Sequence, residues 1–140
     1  MARDQKLDLL RRIPLFTDFG RRDLERLSQL ADEVEVPAER RLMAQGDRGA
    51  EMFVIASGRV RVERDGQQIN SLGPGEFFGE IALLDGGPRT ATVTTDEPSR
   101  LLVLTHREFH TLMEEFPEVA ADVLSALAHR IRRLEPDQAH

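Results

Sequence analysis

With 140 residues, a net charge of −6, 40% apolar and 31% charged side chains, the chain has the composition of one globular domain with a core of its own, not of a disordered segment. Its 25 acidic against 19 basic residues disfavour general nucleic-acid binding and adsorption to an anionic membrane. The absence of cysteine excludes disulfides, zinc–thiolate sites and thiol nucleophiles. The longest apolar runs, such as Leu101–Leu104, are far too short for a bilayer span, and Met1–Lys6 has no signal-peptide core, so the expected location is the cytoplasm.

The first third of the chain, residues 1–33, reads as helical. Leu7, Leu9, Leu10 and Ile13 have the spacing of an amphipathic helix that stops at Pro14. A second helix is predicted over Asp18–Ala31, with Leu24, Leu27, Leu30 and Ala31 on one face. Both are too short to form a core alone and must cover something else.

From Val34 to Leu104 the period changes to two. Val34–Val36 alternates and turns at Pro37, Gln45-Gly46-Asp47 and Arg48-Gly49 are turn chemistry, and Met52–Ala56 is a short buried run. Gly58–Arg64 alternates strictly, with Val60 and Val62 inward, and Asp65-Gly66 supplies the turn of a tight hairpin returning through Gln68–Leu72. Thr90–Thr95 and Arg100–Leu104 are two further strands about a turn at Asp96-Glu97-Pro98. Short strands at this rhythm predict a mainly β fold, a small antiparallel jelly-roll-like β-roll or double-stranded β-helix, with helices at both ends.

Helical period returns over residues 105–136. His106–Phe116 is one helix, N-capped by Thr105 with Glu108 at its third position, and Pro117 opens another that reaches Leu134. On it Ala120, Leu124, Leu127, Ile131 and Leu134 step by four, three, four and three, the spacing of an a/d seam. That seam suits equally a helix lying on its own barrel and one facing a second copy. Arg130, Arg132 and Arg133 put positive charge at the helix end, where it complements the dipole.

The chemistry is concentrated between Gly73 and Val93, which interrupts the strands. Gly79 precedes one predicted helical turn, Glu80–Leu84, whose free N–H groups suit an anion. Arg89 enters the next strand beside it with a planar fork for two phosphate oxygens. A carboxylate in such a place makes sense only opposite a donor, so Glu80 is read as the acceptor for a sugar hydroxyl. Together these residues describe a ribose-phosphate pocket. Glu76 reads as a solvated turn residue, and Phe77 and Phe78 as core.

Phe78–Leu84 followed by Pro88-Arg89-Thr90-Ala91 resembles the phosphate-binding cassette, here residues 78–91, of cyclic-nucleotide-binding domains such as those of the bacterial catabolite activator protein, protein kinase A regulatory subunits and cyclic-nucleotide-gated channels. Ile13-Pro14-Leu15-Phe16, Gln45-Gly46-Asp47, Met52–Ile55 and Gly58-Arg59-Val60 match the family too. The resemblance implies one cyclic-nucleotide-binding domain over residues 1–140. In it Arg89 would pair with the exocyclic phosphate oxygens and Glu80 accept from the ribose 2′-hydroxyl. Gly79 would line the ribose, and the N–H groups of Ala82 and Thr90 would face the phosphate, with Ile81 and Ala91 beside them. It implies cyclic AMP or cyclic GMP as ligand; a hydroxyl at Thr90 occurs with both bases, and cyclic AMP is favoured. For Arg130, Arg132 and Arg133 it offers an alternative to a solvated helix end, in which one of them closes over the purine as in some channel domains, without indicating which.

The expected function is therefore a non-enzymatic sensor that signals through its C-terminal helix to a second copy or an effector. The alternative is a nucleotide-free interaction module of the same fold, docking through that helix. A barrel metalloenzyme is disfavoured. His106, His110, His129 and His140 all lie beyond the strands, and the pair His106 and His110 lacks a third ligand. No direct contact to nucleic acid or membrane is expected. The sequence stops at His140 without a DNA-reading helix, which suits a stand-alone sensor or a domain of a longer protein.

Overall fold

The computed structural model describes residues 2–13, 16, 19–79 and 87–134. Helices α1 (Ala2–Arg12) and α2 (Arg21–Leu30) lead into eight strands: β1 (Asp32–Val36), β2 (Arg41–Met43), β3 (Glu51–Ser57), β4 (Val60–Arg64), β5 (Gln67–Leu72), β6 (Phe77–Phe78), β7 (Thr92–Thr95) and β8 (Ser99–Thr105). Helices α3 (His106–Glu115) and α4 (Pro117–Leu134) follow. The strands form two four-stranded antiparallel sheets, ordered β1-β8-β3-β6 and β2-β7-β4-β5. This is the expected β-roll between helices.

Two apolar clusters explain the strand sequences. Phe53, Ile55, Leu101 and Val103 point between the sheets, against Val60, Leu72, Phe78 and Val93. Their chain neighbours Met52, Val54, Leu102 and Leu104 point the other way, into a cluster with Leu10, Ile13, Leu24, Leu27, Phe109, Leu112, Val119 and Val123. Strands β3 and β8 are thus covered on both faces and read as unbroken apolar runs, whereas β4, with one face toward water, alternates. The amphipathic faces of α1 and α2 are the missing cover: Leu7, Leu10, Leu24, Leu27, Leu30 and Ala31 are all buried, while Leu9 is only half-buried.

Local chemistry sets the ends of these elements. Asp65 and Gly66 take φ of 54° and 81° in the β4–β5 turn, as a two-residue hairpin of this twist requires. Thr105 accepts from the Glu108 N–H while the Glu108 side chain accepts from the Thr105 N–H, completing the predicted capping box of α3. Glu76 is not a free solvated residue, because its Oε2 accepts from the Gly73 N–H at 2.8 Å and closes the turn before β6. The second helix starts at Arg21 rather than Asp18, a residue outside those described; Pro14 and Leu15 are outside them too. Strands β2 and β6, of three and two residues, were not expected.

The helices at the two ends of the chain hold one another. Arg26 on α2 forms two 2.8 Å bonds to the Glu115 carboxylate at the end of α3. This pairing holds the Glu115 carboxyl below its ordinary pKa, through the hydrogen bond first. Beside it, the rings of Phe19 and Phe116 stack at 4.7 Å.

Of the predicted seam on the C-terminal helix, only the side chains of Ala120 and Leu124 are described, and these two do not carry its packing on the roll. The helix packs through Val119 and Val123, both buried, whereas Ala120 is half-buried and Leu124 is 62% exposed. The side chains of Leu127, Arg130, Ile131, Arg132, Arg133 and Leu134 lie outside those described, as does Pro136.

Candidate functional site

Arg89 is the centre of the candidate site. It is only 5% exposed, and a guanidinium, which keeps its charge at any ordinary pH, is costly to bury without polar partners. Its Nη1 donates to the Gly79 carbonyl at 3.0 Å. Its side chain runs through a slot between two glycines. A Cβ on Gly49 would come within 1.8 Å of the Arg89 Nε and 2.1 Å of its Cζ. A Cβ on Gly79 would lie 2.9 Å from Nη1 and 2.9 Å from the Glu51 carbonyl oxygen. Gly79 also has φ of +91°, a backbone state that disfavours any side chain. Gly49 does not have a left-handed φ, so its requirement is for space rather than for a turn.

The Arg89 backbone is held as firmly as its side chain. Its N–H donates to the Asp47 carbonyl at 2.8 Å, and its carbonyl accepts from the Gly46 N–H at 2.9 Å. The turn Gln45-Gly46-Asp47, with Gly46 at φ +89°, therefore also clamps the entry to β7. Gln45 reaches in two further directions. Its N–H donates to Thr92 Oγ1 and its side-chain amide exchanges two 2.9 Å bonds with Asp65. A trans amide sends its N–H opposite to its C=O. Fixing the Arg89 carbonyl on Gly46 thus turns the Thr90 N–H away from that turn.

Thr90 and Ala91 lie before β7 rather than inside it, because the strand begins at Thr92. Thr90 is half-buried and Ala91 buried. The Thr90 carbonyl accepts from Arg64 Nε at 3.1 Å. Of the expected site residues, the structure thus brings together Gly79, Arg89, Thr90 and Ala91. Glu80, Ile81 and Ala82, with the rest of the Glu80–Leu84 turn, lie outside the described residues. Gly49 and Arg64 join the site without any sequence signal that places them there. A small residue in a dipeptide already assigned to a turn carries no mark that it makes room for a distant side chain, and Arg64 reads as one of the outward charges of β4.

The other candidates fall away from this place. Phe77 and Phe78 are buried, and Phe78 stacks on Phe53 with ring centroids 5.0 Å apart, as core residues do. His106 and His110 are exposed on α3 with their Nε2 atoms 3.2 Å apart, and among the described residues no three potential metal-ligating side chains converge. Among the same residues no helix is long and apolar enough to cross a membrane.

The site adjoins the start of α3. Glu51 on β3 pairs with Thr105, the cap of α3, and the His106 N–H donates to the Ala50 carbonyl at 2.7 Å. Gly49, one wall of the Arg89 slot, is thus one residue from a bond that holds the start of α3.

Residues 33–116 match the cyclic nucleotide-binding domain family. The cyclic AMP receptor protein of Thermus thermophilus is 38% identical over 104 residues, which cover 71% of this chain and 48% of that protein. The crystal structure of the Thermus thermophilus catabolite activator protein aligns with a TM-score of 0.78 at 32% identity, covering 89% of this chain and 61% of that one. A cyclic nucleotide-binding domain from Methylobacillus flagellatus KT gives 0.77 at 26% identity, covering 98% and 82%. The chain spans about half the length of the curated relatives it matches. The match runs from β1 to the end of α3 and includes every strand and the Arg89 slot, and the chain belongs to the cyclic nucleotide-binding domain family.

Proposed function

We propose that this chain is a sensor module that binds a cyclic nucleotide at the Arg89 site, with cyclic AMP favoured over cyclic GMP, and signals through its C-terminal helices. The observation that carries this reading is the burial of Arg89 in a slot kept open by Gly49 and Gly79. A guanidinium held so closely at a family motif is suited to the two exocyclic oxygens of a cyclic phosphate. In this reading Glu80 accepts from the ribose 2′-hydroxyl, Gly79 lines the ribose, and the N–H groups of Ala82 and Thr90 face the phosphate with Ile81 and Ala91 beside them. The preference for adenine draws on the cyclic AMP receptor protein among the relatives. The test is calorimetric titration of nucleotide-free protein with cyclic AMP beside cyclic GMP. Micromolar or tighter binding, stronger for cyclic AMP, is expected; a folded protein giving no heat with either would refute the reading.

The output is assigned to α3 and α4. A ligand shifts such helices only by binding one arrangement better than another, and tenfold discrimination needs about 1.4 kcal/mol. The bond from His106 to Ala50 gives the site a physical connection to the start of α3, while the ion pair from Arg26 to Glu115 ties the other end of α3 to α2. Nucleotide is expected to change amide hydrogen exchange across Pro117–Leu134; identical protection with and without ligand would remove α4 from the output.

A second reading is supported by the exposure of Leu124 on α4. A nucleotide-free module docking through that face would show no thermal shift with nucleotide, and Leu124→Glu would abolish its association.

A further inference from the structure

We infer that Arg64 is a positioning residue for the phosphate end of the site, acting through the Thr90 carbonyl. The inference rests on the proposed binding of a cyclic phosphate beside Arg89. The two peptide planes that flank Thr90 are each held from outside the cassette. The Gly46 N–H takes the Arg89 carbonyl at 2.9 Å, and Arg64 Nε takes the Thr90 carbonyl at 3.1 Å. Each bond turns the N–H of its own plane to the opposite side, Thr90 in the first plane and Ala91 in the second. Residues 90 and 91 precede the ladder of β7, so no strand pairing orients these planes. Among the described residues the Thr90 carbonyl is bonded by the Arg64 side chain, which comes from the last residue of β4.

Arg64 has the reach and chemistry for this. Strand β4 lies beside β7, with Glu63 opposite Thr92, so the next residue on β4 stands across from the chain entering β7. The Asp65-Gly66 turn follows immediately and is tied by Gln45 to the same segment that clamps Arg89. A charged donor on a carbonyl makes a stronger bond than a neutral one, so Arg64 holds the Thr90–Ala91 peptide plane more firmly than a neutral side chain would. The half-buried guanidinium also adds positive charge near a site that must draw an anion to a protein of net charge −6. Arg64 and Gly46, drawing the two carbonyls to opposite sides of β7, thus together fix the Thr90 backbone and the direction of its N–H, without Arg64 being placed on the ligand itself.

The experiment compares Arg64→Met, Arg64→Lys and Arg89→Ala with the parent, measuring cyclic AMP and cyclic GMP affinity by calorimetry and the melting midpoint without ligand. Arg64→Met is expected to bind about tenfold more weakly. The loss should be the same factor for both nucleotides, because the phosphate is common to them. The unliganded melting midpoint should stay at the parental value, and Arg64→Lys, which keeps a charged donor, should recover most of the affinity. Parental affinity in Arg64→Met, while Arg89→Ala fails to bind, would overturn the inference and leave the binding reading intact. A loss confined to one base, or one matched by a fall in the unliganded midpoint, would also overturn it. Parental binding by Arg89→Ala would instead remove the reading beneath it.

Discussion

Replacing Arg89 by alanine is expected to abolish most cyclic-nucleotide affinity while leaving the protein folded. Truncating one partner of a buried charge pair costs about 2–5 kcal/mol or more, which is a thirtyfold to several-thousandfold loss. Folding should survive for a structural reason. The Arg89 N–H and carbonyl carry the bonds to Asp47 and Gly46, and these belong to the backbone, which alanine retains. Among the described contacts, what the substitution removes is a buried cation and its bond to the Gly79 carbonyl. Titration with cyclic AMP, paired with a thermal melt of the unliganded variant, checks both halves. Parental affinity would place the phosphate elsewhere in the molecule.

Substituting Gly49 with alanine tests the same site without touching its charge. The added Cβ would stand 1.8 Å from the Arg89 Nε, far inside any tolerated contact, so the guanidinium must leave its slot. Displacement of a positioned group by ~1 Å can cost on the order of 100-fold, and a loss of that order in affinity is expected here. Because Gly49 lacks a left-handed φ, the backbone itself accepts alanine, and the unliganded melting midpoint should move little. Gly79→Ala would be a poorer probe. There the new Cβ meets the Glu51 backbone oxygen at 2.9 Å and the φ of +91° adds strain, so folding and binding would fail together. Unchanged affinity in Gly49→Ala would show that the position of Arg89 in the slot does not matter to the ligand.

Local signals were legible wherever the chain itself makes the element. The Asp65-Gly66 hairpin, the Thr105–Glu108 capping box and the helix start at Pro117 each depend on neighbours within a few residues, and all three stand where the pattern put them. Strands β2 and β6 were not legible, because two or three residues carry no measurable period. Which residues of the described part of α4 are covered was not legible for another reason. Residues Val119 and Val123 are as apolar as Ala120 and Leu124, and only the placement of α3 and the sheet decides which pair is covered.

The candidate site divides in the same way. The order of residues alone determined the β-roll with flanking helices and the segment holding Gly79, Arg89, Thr90 and Ala91, since alternation, glycine turns and motif spacing are properties of one stretch of chain. Tertiary structure alone decided what holds Arg89. Gly49 comes from the approach to β3, Gly46 and Asp47 from the turn after β2, and Arg64 from the end of β4. These residues meet only when the two sheets close. A glycine needed for room, or an arginine needed for a carbonyl across the fold, has no local periodicity to betray it, because its partner is set by packing and not by sequence distance.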